Sequence, residues 1–169
     1  MKSVFLILLV ILCFLTNVFA QDSVLKSILI QDIPTDGIVL DQGWKFHPGD
    51  NPDWSKPGLD DRDWQAIDPT TDIHDLPQIS NAPVGWFRLR ITIDSSISRK
   101  PLALIIQQSG ASEIFLNGEL FYRFGVLGDG NQKIKAYDPL SKPILFMVNN
   151  TTDLVLAVRF ALQPKIYYT

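Results

Sequence analysis

Apolar and polar side chains alternate with a period of two along residues 85–94. Phe87, Leu89, Ile91 and Ile93 point one way and Trp86, Arg88, Arg90 and Thr92 the other. That spacing predicts a strand with one buried face. Residues 102–107 form a more continuous apolar run, which predicts a central strand covered on both sides. Residues 112–116 and 119–124 flank Asn117-Gly118, the residue pair that best tolerates the two positive φ angles of a type I′ turn, so they predict a hairpin. Residues 144–148 and 154–160 give two more strands, with Leu154, Leu156, Val158 and Phe160 inward and Arg159 outward. Helical periodicity is scarce, and the eleven prolines all follow residue 33. The pattern is that of an all-β antiparallel sandwich.

Residues 49–83 interrupt it. They are rich in Asp, Pro and Gly and carry scattered apolar residues, which predicts a long surface excursion pinned by Trp54 and Trp64. Trp44, Trp54 and Trp64 are evenly spaced, but their neighbours do not repeat.

The first twenty residues read as a signal peptide. Lys2 supplies the positive end, an apolar run follows, and Val18-Phe19-Ala20 fits a cleavage site. Leu12 stands where a lipid-modified Cys13 would require a small residue, so Cys13 reads as part of the apolar run. Cleavage would leave 149 residues, cysteine-free, with 14 basic and 18 acidic side chains and a net charge of −4. The expected organisation is a signal peptide over 1–20, an N-terminal lead-in over 21–37 and a β-sandwich over 38–169. The apolar tail, Lys165-Ile166-Tyr167-Tyr168-Thr169, reads as a chain cut short. The expected location is the periplasm or the outer side of a bacterial inner membrane, with membrane contact only through the signal peptide or segments beyond Thr169.

Composition narrows the chemistry. The 169 residues carry 15 basic and 18 acidic side chains with no Lys/Arg cluster, which argues against nucleic acid as a partner. Two histidines lack the spacing of a zinc site, so His47 and His74 read as loop or edge residues. Glu113 and Glu119, the only glutamates, flank the hairpin and read as solvated strand charges rather than a glycosidase pair. Gly128-Asp129-Gly130-Asn131 reads as a flexible turn.

The order of motifs is more specific than any single one. Gly43-Trp44-Lys45-Phe46 is followed by Gly58-Leu59-Asp60-Asp61-Arg62-Asp63-Trp64, then Gly85-Trp86-Phe87-Arg88, then the run from Gly110-Ala111-Ser112 to Leu116-Asn117-Gly118, and then Leu154-Val155-Leu156-Ala157-Val158-Arg159. Over residues 38–160 this series resembles the galactose-binding-like jelly roll that serves as the N-terminal sugar-binding domain of family 2 glycoside hydrolases. It also resembles the extracytoplasmic front of bacterial membrane-bound sensor histidine kinases.

The resemblance implies a jelly roll without catalytic residues of its own, because the hydrolases' glutamates lie in a separate barrel. Tyr122-Arg123-Phe124-Gly125-Val126 stands where the hydrolases usually lead into a His- and Gly-rich segment, which favours the sensory reading: a ligand- or partner-sensing module at the front of a signalling protein. The alternative is an accessory domain of an exported family 2 hydrolase.

The expected partner is a small carbohydrate or a neighbouring protein domain. Trp54, Trp86, Arg88 and Tyr122 could form an aromatic platform with polar groups for a sugar, walled by the loops of 49–83 and 122–138. Trp44, Trp64 and Trp86 equally fit plugs of the core or sandwich edge. No cofactor is expected beyond a structural calcium, for which Asp50, Asp53, Asp60, Asp61 and Asp63 supply hard oxygen ligands. The competing reading is that Asp60, Asp61 and Asp63 are structural, capping a short turn ahead of Trp64.

Overall fold

In the computed structural model the described residues are 25–128, 133–148 and 151–165. The signal peptide, most of the Gly128–Asn131 turn, Asn149-Asn150, the tail after Lys165 and the side chain of His74 lie outside the described residues.

Nine strands are present among them: β1 (Ile28–Ile30), β2 (Lys45–Pro48), β3 (Gln65–Ala66), β4 (Gly85–Ile93), β5 (Pro101–Leu104), β6 (Ala111–Leu116), β7 (Glu119–Phe124), β8 (Ile144–Met147) and β9 (Asp153–Ala161). Short 3-10 turns at Pro52–Ser55 and Ile73–Asp75 and a one-turn helix α1 (Pro77–Ser80) lie within the excursion. Seven strands form one sheet, in the order β3-β2-β4-β9-β6-β7 with β1 beside β4. A second sheet consists of β5 and β8 alone. The fold is an all-β, mostly antiparallel sandwich.

β4 is the spine. β9 pairs antiparallel with it from Gly85 to Thr92, and on its other edge β2 covers Gly85 to Arg88. β1, which falls in the lead-in, continues that edge in parallel register, Ile28 to Ile30 against Ile91 to Ile93. The inward set of β4, Phe87, Leu89, Ile91 and Ile93, joins Phe46, Ile114, Leu154, Leu156 and Phe160 in the main core. Leu102, Leu104 and Phe146 pack on it from the smaller sheet. The inward set expected of residues 154–160 is the one observed.

The hairpin forms as the sequence predicts. Asn117 (φ 50°) and Gly118 (φ 87°) both take the left-handed conformation of its turn. The Asn117 side chain also ties the turn to β9, its Oδ1 accepting from Val155 N at 2.7 Å. Between Ile114 and Phe115 the register shifts and leaves Phe121 unpaired. The Phe121 ring packs on Phe146 of the smaller sheet, with centroids 5.7 Å apart.

Two expectations are corrected. The outward face of β4 is also buried over its first half: Trp86 and Arg88 are both 0% exposed. The excursion folds over them, and the Arg88 charge is tolerated there because a carboxylate meets it. The run 102–107 is not a central strand. β5 has one neighbour, its Leu102 and Leu104 face the core, and Ile105 is 56% exposed. An apolar run shows that one face is buried, but it cannot count the layers above it.

Candidate functional site

The excursion is held to the sheet by two arginines. Arg88 on β4 donates from Nε to Asp61 Oδ2 at 2.9 Å, from Nη2 to Lys56 O at 3.1 Å and from Nη1 to Trp54 O. Arg90, two residues along the same face, donates to Asp61 Oδ1 and to the carbonyls of Pro57 and Leu59. One turn of irregular chain therefore places its carbonyls on two guanidinium forks, which satisfies backbone groups that no strand can reach. Burial pulls the Arg88 pKa below its usual value, while the hydrogen bond and charge of Asp61 work the other way. The arginine stays charged.

Around this clamp lies a second aromatic cluster. Trp64 and Trp86 are buried with Ala157, and Trp54, Leu59 and Phe115 pack against them. Trp54 stands edge-on to Trp64 (5.3 Å) and to Trp86 (6.4 Å), Trp86 stacks on Phe115 (5.4 Å), and the Arg88 guanidinium lies 5.8 Å from the Trp64 ring. The His47 ring centroid lies 4.5 Å from that of Trp54, and its Nδ1 donates to Pro48 O at 2.7 Å. Trp86 Nε1 is buried without a hydrogen-bond partner among the described residues.

The structure thus brings Trp54, Trp86 and Arg88 together, with Trp86 and Arg88 buried and Trp54 half-buried against them. Tyr122 is elsewhere. It pairs with Ile114 on the core side of the sheet and tilts against Phe124 at 4.8 Å.

The acidic residues disperse in the same way. Asp53 pairs with Lys56, Asp60 with Arg62, Asp61 with Arg88 and Arg90, and Asp50 with Arg159. Asp63 is exposed. Asp60 also accepts from the backbone N–H of Arg62, and the hydrogen bonds from Arg62 hold its pKa down to about 2. The donor set does not fit a calcium site. Four of the five carboxylates already serve cations, and no three metal-binding groups converge among the described residues. The turn-capping reading holds for Asp60, while Asp61 closes the buried clamp.

A site that the residue pattern does not single out lies at one end of the sandwich. Arg159 on β9 donates to Asp50 through Nε (2.7 Å) and Nη2 (2.5 Å), and to Glu113 Oε2 through Nη1 (3.0 Å). Glu113 also accepts from Arg123 Nε at 2.9 Å. These charges alternate in sign from the loop after β2 across β9, β6 and β7. Glu119 takes no part, since it lies opposite Leu116 at the far end of the hairpin. The two glutamates therefore do not face each other as a glycosidase pair.

Beside Arg159 opens a cavity of about 770 Å³. Asp50 and Val84 line it together with Leu127, Lys133 and Ile134. Asp50 belongs to the excursion and Leu127, Lys133 and Ile134 to the 122–138 segment, and the cavity holds none of the four expected platform residues.

The overall architecture has solved counterparts. A β-glucuronidase of Bacteroides uniformis superposes on 72% of this chain with a TM-score of 0.52 and 19% identity. A glycosyl hydrolase family 2 member from Bacteroides cellulosilyticus DSM 14838 superposes on 75% with a TM-score of 0.51 and 20% identity. The fold is shared with these hydrolases. The matched region makes up 14% and 18% of the two enzyme chains, so this chain corresponds to a small part of either. No known family profile matches the chain. No curated protein matches it either.

Proposed function

We propose that this chain is a non-catalytic accessory β-sandwich of an exported family 2 glycoside hydrolase, contacting a neighbouring protein domain or a small carbohydrate. The observation that carries this reading is the shared fold with two such hydrolases over about three quarters of the chain. The chemistry of the side chains agrees with it. A glycosidase needs two carboxyl groups facing one bond, one of them poised to give up a proton. Here Glu113, Asp61 and Asp50 are each committed to arginines, and this ion pairing suits them to hold strands and loops in place.

In this role the sandwich supplies a rigid body, and its open end supplies the contact. The sensory reading, a module fronting a histidine kinase, rests on the order of sequence motifs, and the structural neighbours lend it no support.

The coding frame read onward from Thr169 tests the choice. The accessory reading requires alternating strands and helices with inward-facing glutamates; transmembrane segments followed by a phosphoacceptor histidine would overturn it in favour of the sensor. Export is tested by N-terminal sequencing of the secreted chain, which should begin at Gln21.

A further inference from the structure

The two sheets do not treat their edges alike. In the main sheet the edge strands β3 and β1 are two and three residues long, and β7 carries Glu119 and Arg123 beside a register shift. Shortness, charge and irregular register all blunt an edge against pairing with another chain. In the smaller sheet β8 has β5 on one side and no strand on the other among the described residues. Its residues, Ile144-Leu145-Phe146-Met147, include no charge and no proline, and they pair with β5 in unbroken register. Leu145 is 72% exposed and Met147 53%.

The backbone groups at that open edge follow from the ladder. Val148 O accepts from Arg99 N at 3.0 Å, on the β5 side. Successive residues of a strand turn their N–H and C=O to opposite edges, so Ile144 and Phe146 face β5, and Leu145 and Met147 present theirs outward. Pro101, opposite Met147, agrees with this: it has no N–H, and that pair exchanges no hydrogen bonds. By the same alternation the outer edge of β5 begins at Pro101, where the donor is missing.

An antiparallel pair made of one strand and its own copy has a two-fold axis, so an open edge of this kind is complementary to itself. With the axis at Phe146, Leu145 lies opposite the partner's Met147, and Met147 opposite the partner's Leu145. The four outward backbone groups of each copy are then all paired. Residues 143–148 carry no charge, so the cross-strand neighbours are apolar and no like charges meet.

We propose that two copies of this chain pair antiparallel along β8 in this register, forming one continuous four-stranded sheet, β5-β8-β8-β5. The assembly closes at two copies. β5 lies outermost on both sides, and Pro101 blunts that edge against a third strand.

The test is sedimentation velocity of the purified chain between about 1 and 300 µM, which should show a monomer–dimer equilibrium with a dissociation constant on the order of 10–100 µM, as suits an interface of one strand pair. Amide exchange at Leu145 and Met147 should slow about threefold or more across that range. Leu145→Lys/Met147→Lys sets like charges opposite each other twice and should weaken the dimer at least about hundredfold. Its melting temperature in dilute solution should match the wild type, because both side chains face solvent. Leu145→Lys/Met147→Glu sets opposite charges across the axis and should still dimerise.

A monomer throughout the concentration range would overturn the pairing, as would wild-type dimerisation of Leu145→Lys/Met147→Lys. Loss of the dimer in Leu145→Lys/Met147→Glu, or species that grow past two copies, would overturn it as well.

Discussion

Asp61 and Arg88 are 27 positions apart in the sequence, and their side chains meet at 2.9 Å with almost no solvent contact. The pair fixes a stretch of chain that has few strand hydrogen bonds of its own. Removing one member of a buried pair leaves the other charge stranded, at a cost of about 3–5 kcal/mol. Asp61→Asn should therefore lower the urea midpoint strongly, whereas Asp60→Asn, whose carboxylate is open to solvent, should leave it where it is. Equal midpoints for the two variants would rule out the clamp as a stabilising element.

The turn at Asn117 separates two contributions. Asn117→Gly keeps the left-handed backbone but deletes the bond to Val155 N, a loss of about 1 kcal/mol. Asn117→Ala deletes the same bond and, unlike Asn117→Gly, keeps a Cβ that disfavours φ 50° without the amide that offsets it, at about 1–2 kcal/mol more. Chemical denaturation should rank wild type above Asn117→Gly and that above Asn117→Ala. The reverse order for the two variants would mean that the turn is not held in this conformation.

Glu113 gives stability an acid dependence. Burial works to raise its pKa, but the hydrogen bonds and charges of Arg123 and Arg159 together outweigh burial and hold it below 4.5. A carboxylate with a depressed folded-state pKa stabilises the fold above its unfolded value and loses that contribution as pH falls through the folded one. Melting temperatures of the wild type and Glu113→Gln should thus differ most above pH 4.5 and converge in stronger acid. A gap that does not change with pH would remove the ion pairs as its cause.

Gly125 supports the cavity wall. Gly125→Ala must relieve both the positive φ and the collision with Lys135 O, so it should destabilise by about 1–3 kcal/mol and lower hydrogen-exchange protection at the Val126 and Lys135 amides. Gly58→Ala, where an added Cβ meets nothing within 4 Å, serves as the control and should behave as wild type.

Local chemistry was the legible part of this molecule. The Asn117-Gly118 turn and the alternation of β4 and β9 each depend on neighbours within a few residues, so a single stretch of sequence carries them. Partnerships across the chain were not visible in that way. Arg88 on a strand face and Asp61 in an acidic loop each look solvated until the excursion folds back and buries both. Trp86 offers the same lesson, because a tryptophan on the polar side of an alternating strand suggests an exposed ring until a second layer covers it. The cavity draws on Asp50, Val84, Ile134 and Arg159, which share no motif.

The parallel strand β1 has a further meaning. β2 stops at the part of β4 that ends with Arg88, and beyond it Ile91 to Ile93 would present an open backbone edge next to the main core. Such an edge is a template for a strand of another molecule. Three lead-in residues, Ile28, Leu29 and Ile30, occupy it instead. The stretch expected to be a mere lead-in therefore closes an edge of the main sheet, and an N-terminal boundary drawn after Ile30 would open the Ile91–Ile93 backbone to pairing with another strand.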